Sequence, residues 1–340
     1  GDYLGELPPE VSVLFCDLHD TYGSFLSSFC RCIAHRNWMC LRLRLLFLLR
    51  KWAGAHALKP AAKLLLGKHH YDCVIGFRPG ICSDLAAYSV QAERKITWWH
   101  HGEFNVAQTA YANMCEKMDA IAVVSHACEE MLKRTLPGLA DKMACVPNML
   151  DAEAIRQKAL NSLYADGMLH IVSVGRLAPE KHFENVIPAA KALRKSGPDF
   201  VWHIVGEGPE RTKLEALIAD SGLEGRVILE GSKTNPYPYM KYAHLFVHPS
   251  YVESQGLTVL EAMALGVPCV VTKSRGPCEF IQDGVNGLLA EQSPESLTAK
   301  VLEILNDKAL YHLIQENTKC PEQFSPEQVM KQIEVLIDGN

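Results

Sequence analysis

The 340-residue chain lacks any apolar run long enough to cross a membrane, and no signal peptide is visible at its start. It has 12 cysteines but no Cys-x-x-Cys motif, and Cys30 and Cys32 are the only closely spaced pair. Most of the others lie in apolar runs, which favours buried reduced thiols over disulfides or a zinc site. These absences predict a cytoplasmic protein without a disulfide framework.

Signatures of metal and nucleic-acid binding are also missing. The chain has no Asp-x-Asp motif, and its histidine pairs, His69-His70 and His100-His101, are made of adjacent residues. Adjacent residues on a strand face opposite ways, so neither pair forms a ready metal site. The net charge of −5 and the absence of interleaved basic and aromatic motifs argue against nucleic-acid binding. We therefore expect neither a bound metal nor a nucleic-acid partner.

Acidic residues are absent between Asp20 and Asp72, whereas nine basic residues occur in the same span. Within this basic segment, residues 31–68, the stretch 38–52 combines arginines and leucines with a tryptophan at each end. A helix of this kind binds an anionic membrane surface with its cations towards the headgroups. It is equally compatible with packing into a domain while its arginines are solvated. The sequence leaves both interpretations open.

The most informative motif is the segment 248–264, in which Glu253 and Glu261 lie on either side of Gly256. Residues 245–247 predict a short buried strand, and the apolar spacing after Gly256 predicts a helix. Glu253 is therefore expected in the strand-to-helix loop and Glu261 on the first turns of the helix. Open α/β sheets bind their ligands at this edge. A solvated helix face would produce the same pair of glutamates.

Three further predicted strands end in loops that carry glycines and charged residues. These are 169–174 with Gly175, Arg176 and Lys181, then 201–205 with Gly206, Glu207 and Gly208, and finally 267–272 with Gly276 and Glu279. The carboxyl ends of parallel strands meet at one edge of a sheet, so these loops should line a single crevice. Cations and helix-end amides there would stabilise an anion, although exposed arginines and lysines are also common surface residues.

In order and spacing, these motifs resemble the donor-binding half of retaining glycosyltransferases of family 4, part of glycosyl transferases group 1. The match covers residues from about 170 to 290 and includes Gly175-Arg176-Leu177, Glu180-Lys181, Gly206-Glu207-Gly208, the glutamate pair and Gly276-Pro277 with Glu279. The resemblance implies an α/β protein with the GT-B architecture, in which two Rossmann-like domains with parallel sheets face each other across a cleft.

The resemblance also implies a division of the chain. Residues 1–150 would be the N-terminal acceptor-side domain, 151–320 the nucleotide-sugar-binding domain, and 321–340 a C-terminal helix that crosses back to the first domain. Members of this family begin with a strand, a glycine-rich turn and a helix. No glycine pair follows an apolar strand near the start of this sequence, so we expect the first domain to be incomplete at its start.

By resemblance, a nucleotide sugar is the substrate and no cofactor is required. Glu261 would bind the ribose, Glu253 would bind a sugar hydroxyl and stabilise positive charge at the anomeric carbon, and Arg176 and Lys181 would stabilise the leaving diphosphate. The remaining donor contacts would come from Gly175, Gly206, Glu207, Gly208, Ser254, Gln255, Gly256 and Leu257.

The acceptor side is represented by a histidine at the end of the predicted strand 95–100. The family places a histidine beneath the transferred sugar, and His101, followed by glycine, matches that place better than His100. Ser125, at the end of the next predicted strand, would have a supporting role. A histidine that only forms hydrogen bonds in the core is the alternative interpretation.

The sequence therefore predicts a metal-independent, retaining, hexosyltransferase-type glycosyltransferase. It would move a sugar, with a UDP-sugar as the expected donor, to a glycan or lipid-linked acceptor in surface polysaccharide or glycolipid synthesis. The alternative is a catalytically impaired nucleotide-sugar-binding or scaffold protein of the same fold, which the missing glycine turn favours. We expect a cytoplasmic location, peripheral at the inner face of the cell membrane.

Overall fold

The computed structural model describes residues 8–11, 24–61, 69–100, 109–160, 163–164, 166–196 and 198–339. The first of two compact units contains the described residues up to Trp98 together with 109–119, and the second contains Trp99, His100 and the described residues from Ala120 onwards. The sequence predicts a first strand at 11–16; all of it except Val11, and His101 as well, lies outside the described residues. The domain division at residue 150 and the crossing of the C-terminal helix stay predictions.

The first unit begins with two consecutive helices. Its helices are α1 (Phe25–Ala34), α2 (Trp38–Ala53), α3 (Ile81–Tyr88) and α4 (Thr109–Glu116), and its strands are β1 (His70–Gly76) and β2 (Gln91–Trp99). The side chain of Asn37 caps α2 by accepting a hydrogen bond from the backbone amide of Cys40. β1 and β2 are parallel. Leu43 of α2 is fully buried, in contact with Leu58 and Ala61.

The second unit alternates strands and helices along most of its length. Its strands are β3 (Ala120–Val123), β4 (Met143–Cys145), β5 (Leu169–Val174), β6 (Phe200–Val205), β7 (Val227–Gly231), β8 (Leu245–His248), β9 (Cys269–Thr272) and β10 (Leu288–Ala290). Its α-helices are α5 (His126–Thr135), α6 (Ala152–Lys158), α7 (Val186–Ser196), α8 (Arg211–Asp220), α9 (Tyr237–Lys241), α10 (Leu257–Ala264), α11 (Pro294–Asn306), α12 (Lys308–Asn317) and α13 (Pro326–Asp338).

Six of these strands form one parallel sheet in the order β10-β9-β8-β5-β6-β7, and β3 pairs in parallel with β4. Successive side chains of a strand point to opposite faces of the sheet, and helices cover both faces of the central strands. Ile171 joins a core with α7 and α11, whereas Val172 joins a second core with α10. The two cores fix the strand ends from which the loops of the site emerge.

The sequence predicts strands at 73–77, 95–100, 120–125 and 143–146, and β1 to β4 confirm them with shifted ends. It also predicts a short helix within 151–168, which is α6, and its amphipathic C-terminal segment, from Ser325 to Ile337, forms most of α13. No helix in the described ranges is long and apolar enough to cross a bilayer. Of the 11 cysteines that the structure describes, five are buried, as predicted for cysteines in apolar runs, whereas Cys30, Cys82 and Cys278 are exposed.

Candidate functional site

The loops that follow β5 and β6 pack backbone against backbone. The amide of Leu177 donates to the carbonyl oxygen of Glu207 over 2.9 Å. A Cβ added at Gly206 would lie 1.8 Å from the carbonyl oxygen of Gly175, and one at Gly208 would lie 2.2 Å from that of Leu177. Any side chain at either glycine would therefore displace the neighbouring loop, which explains why the Gly-Glu-Gly motif follows this strand.

Helix α10 begins directly after the loop that follows β8. Gly256 precedes its first residue with φ of +84°, a left-handed conformation that favours glycine, and no side chain caps the helix. A Cβ at Gly256 would also lie 2.7 Å from Cγ of Pro277. Leu257, the first helical residue, is exposed. The amino end of α10 therefore presents backbone amides that no side-chain oxygen occupies.

Glu253 lies in this loop, as predicted, and two donors hold one of its carboxylate oxygens. The ammonium group of Lys181 forms an ion pair with Oε1, and Nε2 of His248 lies 2.8 Å from the same oxygen. His248 is the last residue of β8, whereas Lys181 belongs to the loop after β5. Two strand ends thus bring their side chains together on one carboxylate.

The other oxygen of Glu253, Oε2, has no partner among the described residues. Burial by itself would raise the pKa of Glu253, but its interactions with His248 and, to a smaller extent, with Lys181 outweigh burial and lower it to about 2. The carboxylate therefore stays ionised throughout the physiological range. It presents one fixed charge and one open acceptor atom.

Glu261 lies on α10, as predicted, and its surroundings are different. Its single described partner is Tyr237, whose hydroxyl donates to Oε1 over 3.3 Å. Burial raises the pKa of Glu261 to about 7, since the tyrosine hydrogen bond offsets only part of the cost of a buried charge. A ligand that donates hydrogen bonds to this carboxylate would offset the rest of the cost of burying its charge.

Arg176 is exposed, and its side chain has no ion-pair partner among the described residues. It lines an open cavity of about 290 Å³ at the ends of β5, β6 and β7, together with Gly175, Gly206, Glu207 and Lys233. Glu207 forms an ion pair with Arg211 at the first position of α8. Arg176 is therefore a cation that remains available to an anionic ligand.

Two predicted site residues have other partners in the structure. Oε1 of Gln255 accepts hydrogen bonds from the backbone and side-chain amides of Asn148, at 2.8 and 2.7 Å, and its own amide donates to the carbonyl oxygen of Asn148. Ser125 caps α5 by accepting from the amide of Cys128. Ser125 therefore stabilises the start of its own helix and Gln255 holds the segment around Asn148, and their predicted contacts with substrate stay predictions.

Ser125 and Gln255 also line a cavity of about 110 Å³, with Glu279 and Phe324 among its other walls. Glu279 accepts hydrogen bonds from the first two backbone amides of α5, that of His126 over 3.2 Å and that of Ala127 over 2.6 Å. Of the remaining predicted residues, the carbonyl oxygen of Ser254 accepts from the thiol of Cys128. His100 follows β2 directly and is half-buried.

One group in the described part of the chain has the spacing of a metal site. The ligand atoms of His126, Glu129 and Cys145 lie within 4.8 Å of one another. Burial and two nearby carboxylates raise the pKa of the Cys145 thiol to about 12, and Lys133 already forms an ion pair with Glu129 at 2.7 Å. A protonated thiol and a neutralised carboxylate are poor ligands for a cation.

The sequence interpretation did not assign roles to His248, Tyr237 or Asn148, although each contacts a predicted site residue. His248 had a usable signal, since it is a polar residue at the end of an apolar strand and directly before Pro249. Tyr237 and Asn148 lie 24 and 107 residues from their partners, and no local pattern marks them.

Comparison with known proteins matches residues 159–320 to the family described as glycosyl transferases group 1. The chain is 34% identical over 171 residues to the alpha-D-kanosaminyltransferase of Streptomyces kanamyceticus, with 49% of this chain and 44% of the relative covered. It is 34% identical over 141 residues to the lipopolysaccharide core biosynthesis glycosyltransferase LpsE of Rhizobium meliloti, with 41% and 40% covered. The chain thus spans less than half the length of these curated relatives.

The structure is similar to that of Anabaena HepE in complex with UDP. The TM-score is 0.60 at 20% sequence identity, and the match covers 72% of this chain and 73% of HepE. Together with the two parallel-stranded α/β units, this similarity confirms the predicted GT-B fold.

Proposed function

Because residues 159–320 belong to glycosyl transferases group 1, we propose that this chain is a retaining glycosyltransferase of family 4. It transfers a sugar from a nucleotide donor to a glycan or lipid-linked acceptor. The observation that carries the proposal is the ionised Glu253, with one oxygen held by Lys181 and His248 and the other open. A protein that only stored or displayed a nucleotide would have no need of such a charge beside the sugar.

The donor nucleotide binds at the strand ends of the second unit. Glu261 accepts hydrogen bonds from both ribose hydroxyls, which compensates the burial that raises its pKa. The diphosphate lies between the amino end of α10 and the guanidinium group of Arg176. A UDP-sugar is the proposed donor, and the UDP complex of the structurally similar HepE supports this choice.

Transfer depends on stabilising two opposite charges. Negative charge develops on the leaving diphosphate, and Arg176, Lys181 and the α10 amides stabilise it without a metal ion. Positive charge develops at the anomeric carbon, and the Glu253 carboxylate stabilises it while accepting a hydrogen bond from a sugar hydroxyl. The acceptor attacks from the face that the diphosphate leaves, and a donor phosphate oxygen takes the acceptor proton, so configuration is retained. His101, with His100 and Ser125, is the proposed acceptor-side contact.

The proposed acceptor is a surface polysaccharide or glycolipid. The name of the LpsE relative, a lipopolysaccharide core biosynthesis glycosyltransferase, supports this acceptor class.

We further propose that the first unit binds the cytoplasmic face of an anionic membrane through α2. Trp38, Leu45, Leu49 and Trp52 are 58%, 42%, 52% and 90% exposed, and their spacing places them on one face of the helix. Arg42 is exposed beside them. Exposed apolar residues beside cations suit the boundary between headgroups and acyl chains, and the absence of acidic residues across residues 31–68 avoids repulsion.

Calorimetric titration of the chain against UDP, GDP, ADP and CMP, in the presence of EDTA, tests the donor site. We expect micromolar binding of UDP that EDTA does not change. Binding of none of the four would contradict the proposal, and binding that required a divalent cation would contradict metal independence. Release of free sugar or transfer to an acceptor from the matching nucleotide sugar then distinguishes an enzyme from a binding protein.

A further inference from the structure

The buried imidazole of His248 has a hydrogen-bonding pattern that a purely structural residue would not need. Its side chain is 3% exposed, and Nε2 lies 2.8 Å from Oε1 of Glu253. The other ring nitrogen, Nδ1, is buried without a hydrogen-bond partner in the described part of the chain. The ring itself stacks on Phe246, with ring centres 6.2 Å apart. A buried polar atom without a partner costs free energy, and an apolar side chain would avoid that cost.

We propose that His248 is a positioning residue for Glu253, and that it acts by holding one carboxylate oxygen so that the other faces the donor sugar. This inference rests on the proposed function, because it assigns the open oxygen to a sugar hydroxyl. His248 does not touch the substrate in this arrangement. It acts through Glu253 alone.

The geometry supports different roles for the two carboxylate oxygens of Glu253. Both donors, Lys181 and His248, approach Oε1, and Oε2 has no partner among the described residues. Lysine donates from a flexible chain and tolerates several carboxylate orientations, whereas an imidazole enclosed by the sheet donates along one direction. His248 therefore fixes the rotation of the carboxylate, and Lys181 adds a positive charge beside it.

The hydrogen bond also determines the tautomer of His248. A carboxylate only accepts hydrogen bonds, so the ring nitrogen that faces it, Nε2, must carry the proton. Nδ1, the nitrogen that has no partner among the described residues, is left beside the ring of Phe246. The proposed role of His248 therefore requires only a hydrogen-bond donor at the Nε2 position.

Two near-isosteric substitutions separate this property from side-chain volume. Glutamine places its amide nitrogen near the Nε2 position and asparagine near the Nδ1 position, so His248→Gln preserves the donor to Glu253 and His248→Asn removes it. His203→Phe is the control, since His203 is a buried histidine of β6 whose Nδ1 lies 2.8 Å from Oε1 of Glu230 and whose Nε2 lies 3.1 Å from Nδ1 of His170. It removes an imidazole–carboxylate hydrogen bond and the contact with His170 from the same unit, away from the loop that carries Glu253.

The readout is the ratio of the Kd for UDP-glucose to the Kd for UDP, measured by calorimetry. We expect His248→Asn to raise this ratio at least about tenfold, the equivalent of one charge-assisted hydrogen bond, and His248→Gln to change it less than about threefold. His203→Phe should leave the ratio unchanged. Equal ratios for His248→Asn and His248→Gln, or an equal rise in His203→Phe, would overturn the positioning role.

A second measurement does not depend on any nucleotide. In ¹⁵N spectra of histidine-labelled protein, Nε2 of His248 should carry a proton, in a signal assigned by its loss in His248→Gln. An Nε2 without a proton would overturn the inference even if UDP binds. Absence of UDP binding with a protonated Nε2 would instead contradict the proposed function and leave the fixed carboxylate oxygen established.

Discussion

The two glutamates of the site have opposite electrostatic environments although only seven residues separate them. Glu253 has a cation and an imidazole on one oxygen, and its pKa falls to about 2. Glu261 has one tyrosine hydroxyl, and burial raises its pKa to about 7. Glu253 is therefore ionised throughout the physiological range. The burial of the Glu261 carboxylate is fully offset only when a ligand adds hydrogen bonds to it.

The raised pKa of Glu261 predicts a pH-dependent stability. An unfolded glutamate ionises near 4.5, so the folded state is penalised progressively as the pH rises from 4.5 through 7 and by about 3 kcal/mol above that range. We expect Glu261→Gln to increase the free energy of unfolding at pH 8 by up to about 3 kcal/mol and to change it little at pH 4. Denaturant unfolding at both pH values measures this difference.

The same substitution should weaken nucleotide binding at pH 8, because an amide accepts hydrogen bonds less strongly than a carboxylate. Stability and affinity are thus expected to change in opposite directions. Increased stability with unchanged affinity for UDP would remove Glu261 from the ribose site, whereas unchanged stability would contradict its raised pKa.

Arg176 is the residue on which recognition of the diphosphate should depend most directly. It is exposed and has no ion-pair partner among the described residues, whereas Lys181 is already paired with Glu253. We expect Arg176→Ala to weaken UDP binding by about 1.5–3 kcal/mol and to leave uridine binding unchanged. Calorimetry with both ligands measures this difference.

Lys191→Ala is the matched control for Arg176, since it removes an exposed cation from α7 in the same unit. An equal loss of UDP affinity in the two variants would indicate a general electrostatic effect. It would exclude a specific contact between Arg176 and the phosphates.

At the scale of elements, the site is a set of strand-end loops joined by backbone contacts. The amide of Gly206 donates to the carbonyl oxygen of Gly231, which links the ends of β6 and β7. The hydroxyl of Ser250 donates to the carbonyl oxygen of Glu180 over 3.1 Å, which links the loops after β8 and β5. Such contacts leave the loops little room to move independently, so a change in one loop alters its neighbours.

Gly208 provides a test of this coupling. A Cβ at this position would lie 2.2 Å from the backbone oxygen of Leu177, so Gly208→Ala must displace the loop that carries Arg176. We expect a loss of stability of about 1–3 kcal/mol and at least tenfold weaker UDP binding. Thermal unfolding and calorimetry measure the two effects.

Gly138 is the corresponding control, because a Cβ there meets nothing within 4 Å. Gly138→Ala should retain both stability and affinity. Full UDP affinity in Gly208→Ala would show that the backbone contact between the two loops has no role in binding.

The exposed stripe of α2, formed by Trp38, Leu45, Leu49 and Trp52, leads to a prediction about membrane binding. Replacing both Trp38 and Trp52 by alanine should weaken binding to phosphatidylserine vesicles at least about tenfold, because these side chains provide most of the exposed apolar area of the stripe. Vesicle co-sedimentation measures the loss. Leu313→Ala, which truncates a 48% exposed side chain on α12, should have no effect. Equal binding of the parent chain to neutral vesicles would contradict the role of the basic segment.

At the scale of the whole molecule, the proposed donor contacts all belong to the second compact unit, and the exposed stripe of α2 belongs to the first. The two proposals thus assign nucleotide recognition and membrane contact to different units. A ligand bound to one unit stabilises that unit most directly, because it binds only where its contacts are folded.

Hydrogen exchange therefore offers a test across the chain. UDP should slow exchange most in the loops after β5 and β6 and at the start of α10, where opening reactions must now also release the ligand. Peptides from α1 and α2 should exchange as before. Greatest protection within the first unit would place the nucleotide elsewhere and contradict the assigned donor site.

The sequence by itself determined the strands β5, β6, β8 and β9 of the second unit and the positions of both glutamates after β8, but not the strands β7 and β10. Apolar runs ending in glycine and charged residues identify strand ends, and helical spacing after Gly256 identifies α10, because these signals are local. The resemblance then supplied the GT-B fold, which local patterns alone do not contain. The roles of individual residues remained expectations.

Only the tertiary structure decided which side chains meet. Lys181 and Glu253 are 72 residues apart, and Gln255 and Asn148 are 107 residues apart, so their contacts depend on strand order and helix packing. The same holds for the pKa of each glutamate, since burial and neighbours arise from the fold. Secondary structure follows from short-range periodicity. The charge and orientation of a site residue depend on contacts between residues far apart in the chain, and local sequence patterns do not reveal these contacts.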